Sequence, residues 1–568
     1  MDRDQILSAT AIRRLIASGK HIVIYEGSIL QLDGWLDRHP GGKLAIQHMV
    51  GRDATNEINV IGTISGHWTN LTPPIRGGIY SSSATEDQEI DHPNLDSAET
   101  TANSSDNSSD TSIDDLSDAS TLCTRTTSVD INHVEADVLR ERLTSKDGYT
   151  VHLQVPGAEG RKAVSPNSTK PSFLITPEAY VSKAIKGEIE DSLRDYPSLD
   201  DATQRAISSA YQDLHQQIKD QGFYTCRYSE YAKEVTRYLV LFAFFATALR
   251  HGWYFTSAAF LGLFWHQIMF TAHDAGHRGI THNFIADNLI GLFIADFCCG
   301  LSIGWWKSSH NVHHLITNHP EHDPDIQNVP LFATCPSFFK SLHSTYYDFT
   351  FVWDKIADFA VAYQQYTYYP VMGVARFNLY MLSIHHLFTS PRPKSRITSW
   401  IRPTEIAFIF CYWLWFGYGI VWLTLPNWPT RIGFVLISHI ITMPLHVQIT
   451  LSHWAMPTAD LGDAESFPQR QLRTTMDVDC PEWLDFLHGG LQYQAVHHLF
   501  PQIPRHNLRN VQRLVRKFCE ETGIKYSIYN FTDGNKKVLG RLADVTDQMN
   551  MMLQCQKYMA ETRISGLH

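Results

Sequence analysis

Residues 492–501 read QYQAVHHLFP, in which two adjacent histidines follow Gln494 by three and four positions. Residues spaced three and four apart lie on one face of an α-helix. The stretch therefore predicts a short helix that turns Gln494, His497 and His498 to the same side. Such a face binds a metal only if other parts of the chain bring further ligands to it.

Two earlier stretches repeat this geometry but begin with histidine. HDAGH, at residues 273–277, pairs its histidines at i and i+4, and HNVHH, at residues 310–314, spaces them at i, i+3 and i+4. A single histidine pair is usually solvated or caps a helix, but three clusters with matching spacing favour a metal centre. The predicted metal ligands are His273, His277, His310, His313, His314, Gln494, His497 and His498, with His453 of the LSHW stretch as a further ligand.

The number of predicted ligands limits which metals fit the site. Imidazole suits iron, zinc and copper, and eight or nine ligands exceed what one tetrahedral zinc takes. Two metal ions with open positions fit better, and two neighbouring irons can bind and split dioxygen. Three aspartates, Asp274, Asp323 and Asp325, are expected to orient ligand imidazoles by hydrogen bonds, although loop or capping roles are equally open.

Four apolar stretches approach the roughly 20 residues that a membrane-spanning helix needs. They lie at residues 235–249, 253–271, 405–425 and 432–451 and form two pairs with short connections, which predicts two membrane hairpins. A fifth apolar run, residues 285–305, contains Asp287 and Asp296. A full crossing there would separate HNVHH from HDAGH, so we predict a re-entrant or interfacial segment. Basic residues after it place that side in the cytosol.

The chain is predicted to be multidomain. A small α+β domain covers residues 1–80, and an acidic, serine-rich linker without Lys or Arg from Ser81 to Cys123 is expected to be disordered through residues 81–175. A helical connector follows at 176–230, with a capping signal at Ser198 and Asp201. An all-α membrane domain with a cytosolic helical cap covers 231–530, and residues 531–568 form a C-terminal tail.

Composition excludes some functions. The net charge of −11 argues against general nucleic-acid binding, which requires a basic face. Nine cysteines occur without any C-x-x-C spacing and are predicted to be reduced thiols. The first residues have no apolar core of signal-peptide length, so membrane insertion is expected to use internal segments.

The motifs HDAGH, WWKSSHNVHH, TNHPEHDPDIQ and QYQAVHHLFP, in this order, resemble the membrane fatty-acyl desaturases with three histidine boxes. Glutamine at the head of the third box, together with HPGG (39–42) and GRDAT (51–55), is similar to the front-end subgroup with a cytochrome b5-like domain. The connector and WTNLTPPIRGG (68–78) are most similar to the fungal sphingolipid Δ8-desaturases. The resemblance covers residues 1–77 and about 178–520.

The resemblance implies a di-iron enzyme of the endoplasmic reticulum membrane with both termini in the cytosol. It would insert a double bond at C8 of the sphingoid base of a ceramide, with O2 as oxidant. Electrons would come from NADH through NADH-cytochrome b5 reductase and haem b. The seven box histidines would bind the two iron ions, and Gln494 matches the glutamine that replaces the first histidine of box three.

The cytochrome motif departs from the family in one respect. His39 matches one axial haem ligand, but the second histidine is expected 23 or 24 residues later, where Gly62 and Thr63 stand. About a dozen residues are missing after Asn59. His67 is the nearest substitute, and it lies past the expected haem segment. The sequence therefore predicts that this chain binds haem poorly.

Three alternatives remain open at this point. A front-end fatty-acid desaturase of the Δ6 or Δ5 type would act on phospholipid or CoA-linked chains. A lipid hydroxylase also pairs a haem domain with histidine clusters, but Gln494 counts against it. A non-catalytic membrane haem protein would use the linker to bind partners, and the three complete boxes count against it.

Overall fold

The computed structural model describes residues 6–36, 39, 43–61, 75–80, 176–390 and 398–562, with the backbone alone for 75–80. The predicted disordered linker, residues 81–175, lies outside the described residues. Each of the eight cysteines in the described part is a free thiol.

The N-terminal domain is a four-stranded sheet with short helices, as the predicted α+β class requires. Its elements are β1 (Ile6–Leu7), α1 (Ala9–Ala17), β2 (Ile22–Tyr25), β3 (Ser28–Gln31), α2 (Lys43–Gln47), α3 (Thr55–Val60) and β4 (Ile75–Tyr80). The strand order is β1-β4-β3-β2; β1 pairs with β4 in parallel and the other pairs are antiparallel. Alternate apolar residues such as Ile22, Ile24 and Ile29 face the core.

The connector consists of two long helices, α4 (Pro177–Asp195) and α5 (Asp201–Asp220). The predicted capping residue of α5 is wrong by two positions. The Asp200 carboxylate, rather than the Ser198 hydroxyl, accepts the hydrogen bond from the Thr203 N–H, at 3.0 Å. Ser198 instead accepts from the Asp200 N–H, and this bond fixes the turn that precedes the helix.

The first predicted hairpin is formed by α6 (Tyr228–Arg250) and α7 (Tyr254–Gly276), each 23 residues long. Large apolar side chains of α6, including Leu239 and Phe244, point outward and are exposed. By length and composition, however, neither helix is among those apolar enough to cross a membrane in the described part of the chain. The first hairpin therefore stays a prediction, and so does the count of four spans.

The second hairpin meets the requirements for crossing. It comprises α12 (Ile401–Tyr412), which continues as a π-helix (Trp413–Thr424), and the pair α13 (Trp428–Ile440) and α14 (Met443–Leu451). The two 24-residue segments Ile401–Thr424 and Trp428–Leu451 have mean hydropathies of 1.8 and 1.7. The chain is thus a membrane protein by the composition of these helices.

The fifth apolar run does not continue as one straight helix. It contains α8 (Phe284–Gly291), a π-helical segment (Leu292–Cys298) and then α9 (Ile303–Leu315), with a bend of 116° between the two halves. Such a bend belongs to a broken span or a re-entrant segment. It turns the histidines of HNVHH back toward the end of α7. This is the arrangement needed for the histidine clusters to lie together, as the sequence predicts.

The remaining elements lie around the ends of these helices. They are β5 (Leu342–Ser344), β6 (Phe349–Phe351), α10 (Lys355–Ala362), α11 (Gln364–Thr389), α15 (Phe467–Thr474), β7 (Asp477–Asp479), α16 (Asp485–His488), α17 (Gln494–Leu499), α18 (Leu508–Thr522), β8 (Ile528–Asn530) and α19 (Phe531–Thr562). Residues expected to form a tail are thus largely helical, and Val538, Leu542 and Val545 of α19 are fully buried.

Close helix packing joins the hairpins. Gly262 of α7 faces α13, and a Cβ at this position would lie 2.5 Å from the carbonyl oxygen of Ser438. Only glycine permits this approach, as is typical of helix contacts in membranes. Trp265, on the next turn of α7, is fully buried against Phe416 of the second hairpin. The shared core holds α7 in a fixed position, and α7 carries the first histidine box.

Candidate metal centre

The three histidine boxes occupy the ends of three helices that meet. His273 lies in the last turn of α7 and His277 caps it, whereas the second box forms the last turns of α9 and the third lies in α17. All of these histidines except His273 are buried. Each box lies on one helical face because its residues are three or four apart.

The convergence produces two groups of ring nitrogens. In one, His273, His277, His310 and His497 each offer an atom, and all four atoms lie within 4.8 Å of one another. The other group, with the same spread, is His313, His453 and His498. His453, which follows α14, is thus placed with the box histidines as the sequence predicts.

His314 and Gln494 join the two groups to their surroundings. The Nε2 atom of His314 lies 3.1 Å from Nε2 of His310, and its ring stacks on His498 with centroids 4.2 Å apart. His314 thus touches both groups. Gln494 begins α17, and its Oε1 atom is buried without a hydrogen-bond partner in the structure. Its amide oxygen is available as a neutral ligand.

Unpartnered nitrogens test whether the residues fit metal ions. Buried polar atoms are nearly always hydrogen-bonded, yet several imidazole nitrogens here are not. They are Nε2 of His273, His277, His453, His497 and His498, and Nδ1 of His314. So many unpartnered imidazole nitrogens in one place fit metal ligands, and imidazole is a donor that suits iron. The two groups of nitrogens fit two ions.

Trp306 packs among the box histidines. Its ring stacks on His310 at 4.4 Å and meets His273 and His277 edge-on at 5.4 and 5.3 Å. A Cβ on Gly276 would lie 2.1 Å from the Trp306 ring. The glycine in HDAGH therefore makes room for the tryptophan that packs on the histidines.

Hydrogen bonds outside the ligand set orient two of the imidazoles. Nδ1 of His313 lies 2.8 Å from Oδ2 of Asp323, which is fully buried. Nδ1 of His498 lies 3.0 Å from Oε1 of Gln471, whose Nε2 donates to the backbone oxygen of His314. These bonds fix the orientation of each ring and leave its opposite nitrogen available as a metal ligand. Nothing in the sequence pattern identified Gln471.

The other two predicted aspartates are placed less closely. The Asp325 carboxylate lies 3.7 Å from Nδ1 of His313 and 3.9 Å from Nδ1 of His310, too far for a direct hydrogen bond. Asp274 lies 3.5 Å from Nδ1 of His273. Of the three aspartates, Asp323 alone makes a short bond to a box histidine.

Asp274 belongs to a buried network that the sequence did not predict. Its carboxylate accepts a hydrogen bond from Arg505 Nη1 at 2.7 Å and another from the Tyr231 hydroxyl. Arg505 also pairs with Glu234 and donates to the Thr271 hydroxyl. The network ties the segment after the third box to α6 and α7, and so fixes boxes one and three relative to each other.

The described residues supply only half of a bis-histidine haem site. His39 is half-buried, with its ring 4.8 Å from Trp35. His21 is bonded to Asp33, and His48 packs against His322 of the membrane domain. His67, like Gly62 and Thr63, lies outside the described residues. The residues described here therefore do not complete a haem site.

Comparison with known proteins agrees with the motifs and the geometry. The fatty acid desaturase family matches residues 251–530, and the cytochrome b5-like haem/steroid binding domain matches residues 10–80. A Delta 8-(E)-sphingolipid desaturase of Emericella nidulans is 45% identical over 580 residues, covering 100% of this chain and 99% of that protein. The chain belongs to this desaturase family.

Other members of the family extend the likeness. A Delta 8-(E)-sphingolipid desaturase of Candida albicans is 43% identical over 98% of both chains. A Delta(8)-fatty-acid desaturase of Helianthus annuus is 38% identical but covers 50% of this chain. The predicted resemblance is confirmed, and the chain is an oxygen-dependent membrane desaturase with a cytochrome b5-like domain.

Proposed function

We propose that this desaturase introduces a trans double bond at C8 of the sphingoid base of a ceramide. Six fungal relatives that bear the name Delta 8-(E)-sphingolipid desaturase align over 97–100% of the chain, and this observation carries the proposal. The plant relatives match only about half of it. The trans geometry rests on the (E) in those fungal names.

The overall reaction balances with two external electrons. One O2 accepts two hydrogens from neighbouring chain carbons, together with two electrons and two protons, and leaves as two waters. Two iron ions would supply the oxidising power when bound. The box histidines His273, His277, His310, His313, His314, His497 and His498, with His453 and Gln494, would hold them. In this proposal Asp323 and Gln471 orient two of the ligands.

The protein's own contribution is to position the substrate chain. Methylenes of a lipid chain are chemically almost alike, so the site of reaction depends on which carbons are held beside the centre. The helices α7 and α9 hold the first two boxes, α17 holds the third, and in this proposal Trp306 limits access of water. Exclusion of water also protects the reactive centre between turnovers.

The proposal includes the arrangement of the chain. The domains would be residues 1–80, a linker at 81–175, a connector at 176–230, the desaturase domain at 231–530 and the C-terminal residues 531–568. Four spans in the endoplasmic reticulum membrane would leave both termini and the histidine centre in the cytosol. NADH-cytochrome b5 reductase would supply the electrons.

Haem b would need two axial ligands in that electron route. His39 provides one axial ligand, and the positions expected for the second hold Gly62 and Thr63. We therefore assign no reaction step to haem in this chain. The di-iron proposal does not depend on it, because its ligands all lie between residues 273 and 498.

Expression in a host that lacks this activity tests the function. The wild-type chain should yield ceramide with a Δ8 trans base, and His313→Ala or His497→Ala should abolish the product while the protein stays membrane-bound. His385→Ala is the matched control, because His385 is exposed at the end of α11. Altered fatty-acyl chains with an unchanged base would instead favour the fatty-acid desaturase, and a hydroxylated product the hydroxylase.

A further inference from the structure

The cytochrome b5-like domain shares a buried core with the second histidine box. Leu315 and Ile316 directly follow His314, and both are buried in one apolar cluster with residues of the N-terminal domain. The residues contributed by that domain are Val23, Leu30, Leu32, Ala45, Ile46, Met49 and Ala54. The end of α9 is therefore enclosed by the N-terminal domain.

Charged and polar contacts surround this apolar centre. Glu57 of α3 pairs with Arg470 of α15 at 3.1 Å, with both side chains less than 10% exposed. Arg52 pairs with Asp463 at 2.6 Å on the more exposed rim, and Asn56 accepts a hydrogen bond from Gln212. An apolar centre with a polar rim is the anatomy of a specific interface.

A row of histidine rings forms the third contact. The His48 ring lies 4.7 Å from His322, which stacks on His319 at 4.1 Å and 13°. Burial lowers the pKa of His48 to about 4 and that of His322 to about 3, so these two rings are neutral and pack without charge repulsion. The next residue after His322 is Asp323, which bonds His313.

We propose that the cytochrome b5-like domain works from one fixed, docked position on the second histidine box. Domains that bind and leave use interfaces that are small, wet and polar. Here the centre of the interface, around Leu315 and Ile316, is apolar, and the ion pair between Glu57 and Arg470 is enclosed. The linker then only connects the two domains. This position of the domain does not depend on the proposed function, because no reaction step is assigned to haem in this chain.

Cutting the linker distinguishes a docked domain from a tethered one. A protease site is inserted within residues 81–175 of the full-length chain, and the purified protein is cleaved in detergent and separated by size. A docked domain co-elutes with the membrane domain after cleavage. Separation of the two fragments at micromolar concentration would overturn the proposal.

Interface variants make the result specific. In the cleaved protein, Glu57→Gln removes the partner of a buried charge and should weaken retention of the domain by roughly 30-fold or more. Arg52→Glu should weaken it less, and adding Asp463→Arg should restore it. Arg13→Glu, on the exposed face of α1, is the control and should change nothing. Equal retention of Glu57→Gln and the control would contradict the assigned interface.

A further readout separates docking from function. Protein reduced chemically should form product without the reductase. Co-elution without any product from reduced protein would keep the docked position and overturn the proposed reaction.

Discussion

Replacing Asp323 by asparagine would remove the one carboxylate that bonds directly to a box histidine. Asp323 is fully buried; Oδ2 meets His313 Nδ1 at 2.8 Å and the Asn318 N–H at 2.7 Å, and Oδ1 accepts from the Asp325 N–H at 2.9 Å. An asparagine has one acceptor oxygen, so its NH2 group must face at least one of these donors. Hydrogen bonds to charged groups contribute about 1.5–3 kcal/mol.

Loss of such a hydrogen bond in Asp323→Asn corresponds to roughly a 10- to 100-fold decrease in metal affinity or activity. Iron per chain and the rate of product formation measure it. Asp325→Asn is the matched control from the same loop, because its longer contacts and partial exposure predict less than about a fivefold effect. Full iron content and full activity of Asp323→Asn, or equal losses in both variants, would refute the role given to Asp323.

Three other predictions test separate parts of the site. Gln494→Ile should lose most activity, whereas Gln494→His retains part of it; activity of Gln494→Ile equal to wild type would make Gln494 a packing residue. Arg505→Met leaves Asp274 and Glu234 without their buried partner and should lower the free energy of unfolding by about 3–5 kcal/mol, measured by thermal unfolding in detergent; an unchanged Tm would contradict the network. The purified protein should lack the Soret band of a bis-histidine haem, and a normal band would show that a second ligand exists.

The convergence of the histidines was predictable because its signal is local. Spacings of three and four residues define a helical face, and the structure places six of the seven box histidines and His453 in two close groups, with His314 in contact with both. The residues that orient the ligands carry no such signal. Gln471 and Arg505 are single polar residues, and Arg505 lies 231 positions from its partner Asp274. Only the folded chain brings them together.

The fold was predictable to a similar degree. Apolar length identified the second hairpin, although the helix that begins at Ile401 starts four residues before the predicted stretch. Composition alone did not settle the first hairpin, because α6 contains several charged residues in its first turns. Nothing in the sequence indicated that Leu315 and Ile316 contact the N-terminal domain, because a pair of apolar residues can belong to any protein core.

Identification of the lipid product tests the central claim most directly. The wild-type chain is expressed in a host that makes only saturated sphingoid bases, and the position and geometry of any new double bond are determined by mass spectrometry of derivatised bases. We expect one trans double bond between C8 and C9 of the ceramide base, absent from the His313→Ala variant. A saturated base together with new double bonds in fatty-acyl chains, or a hydroxylated base, would contradict the account.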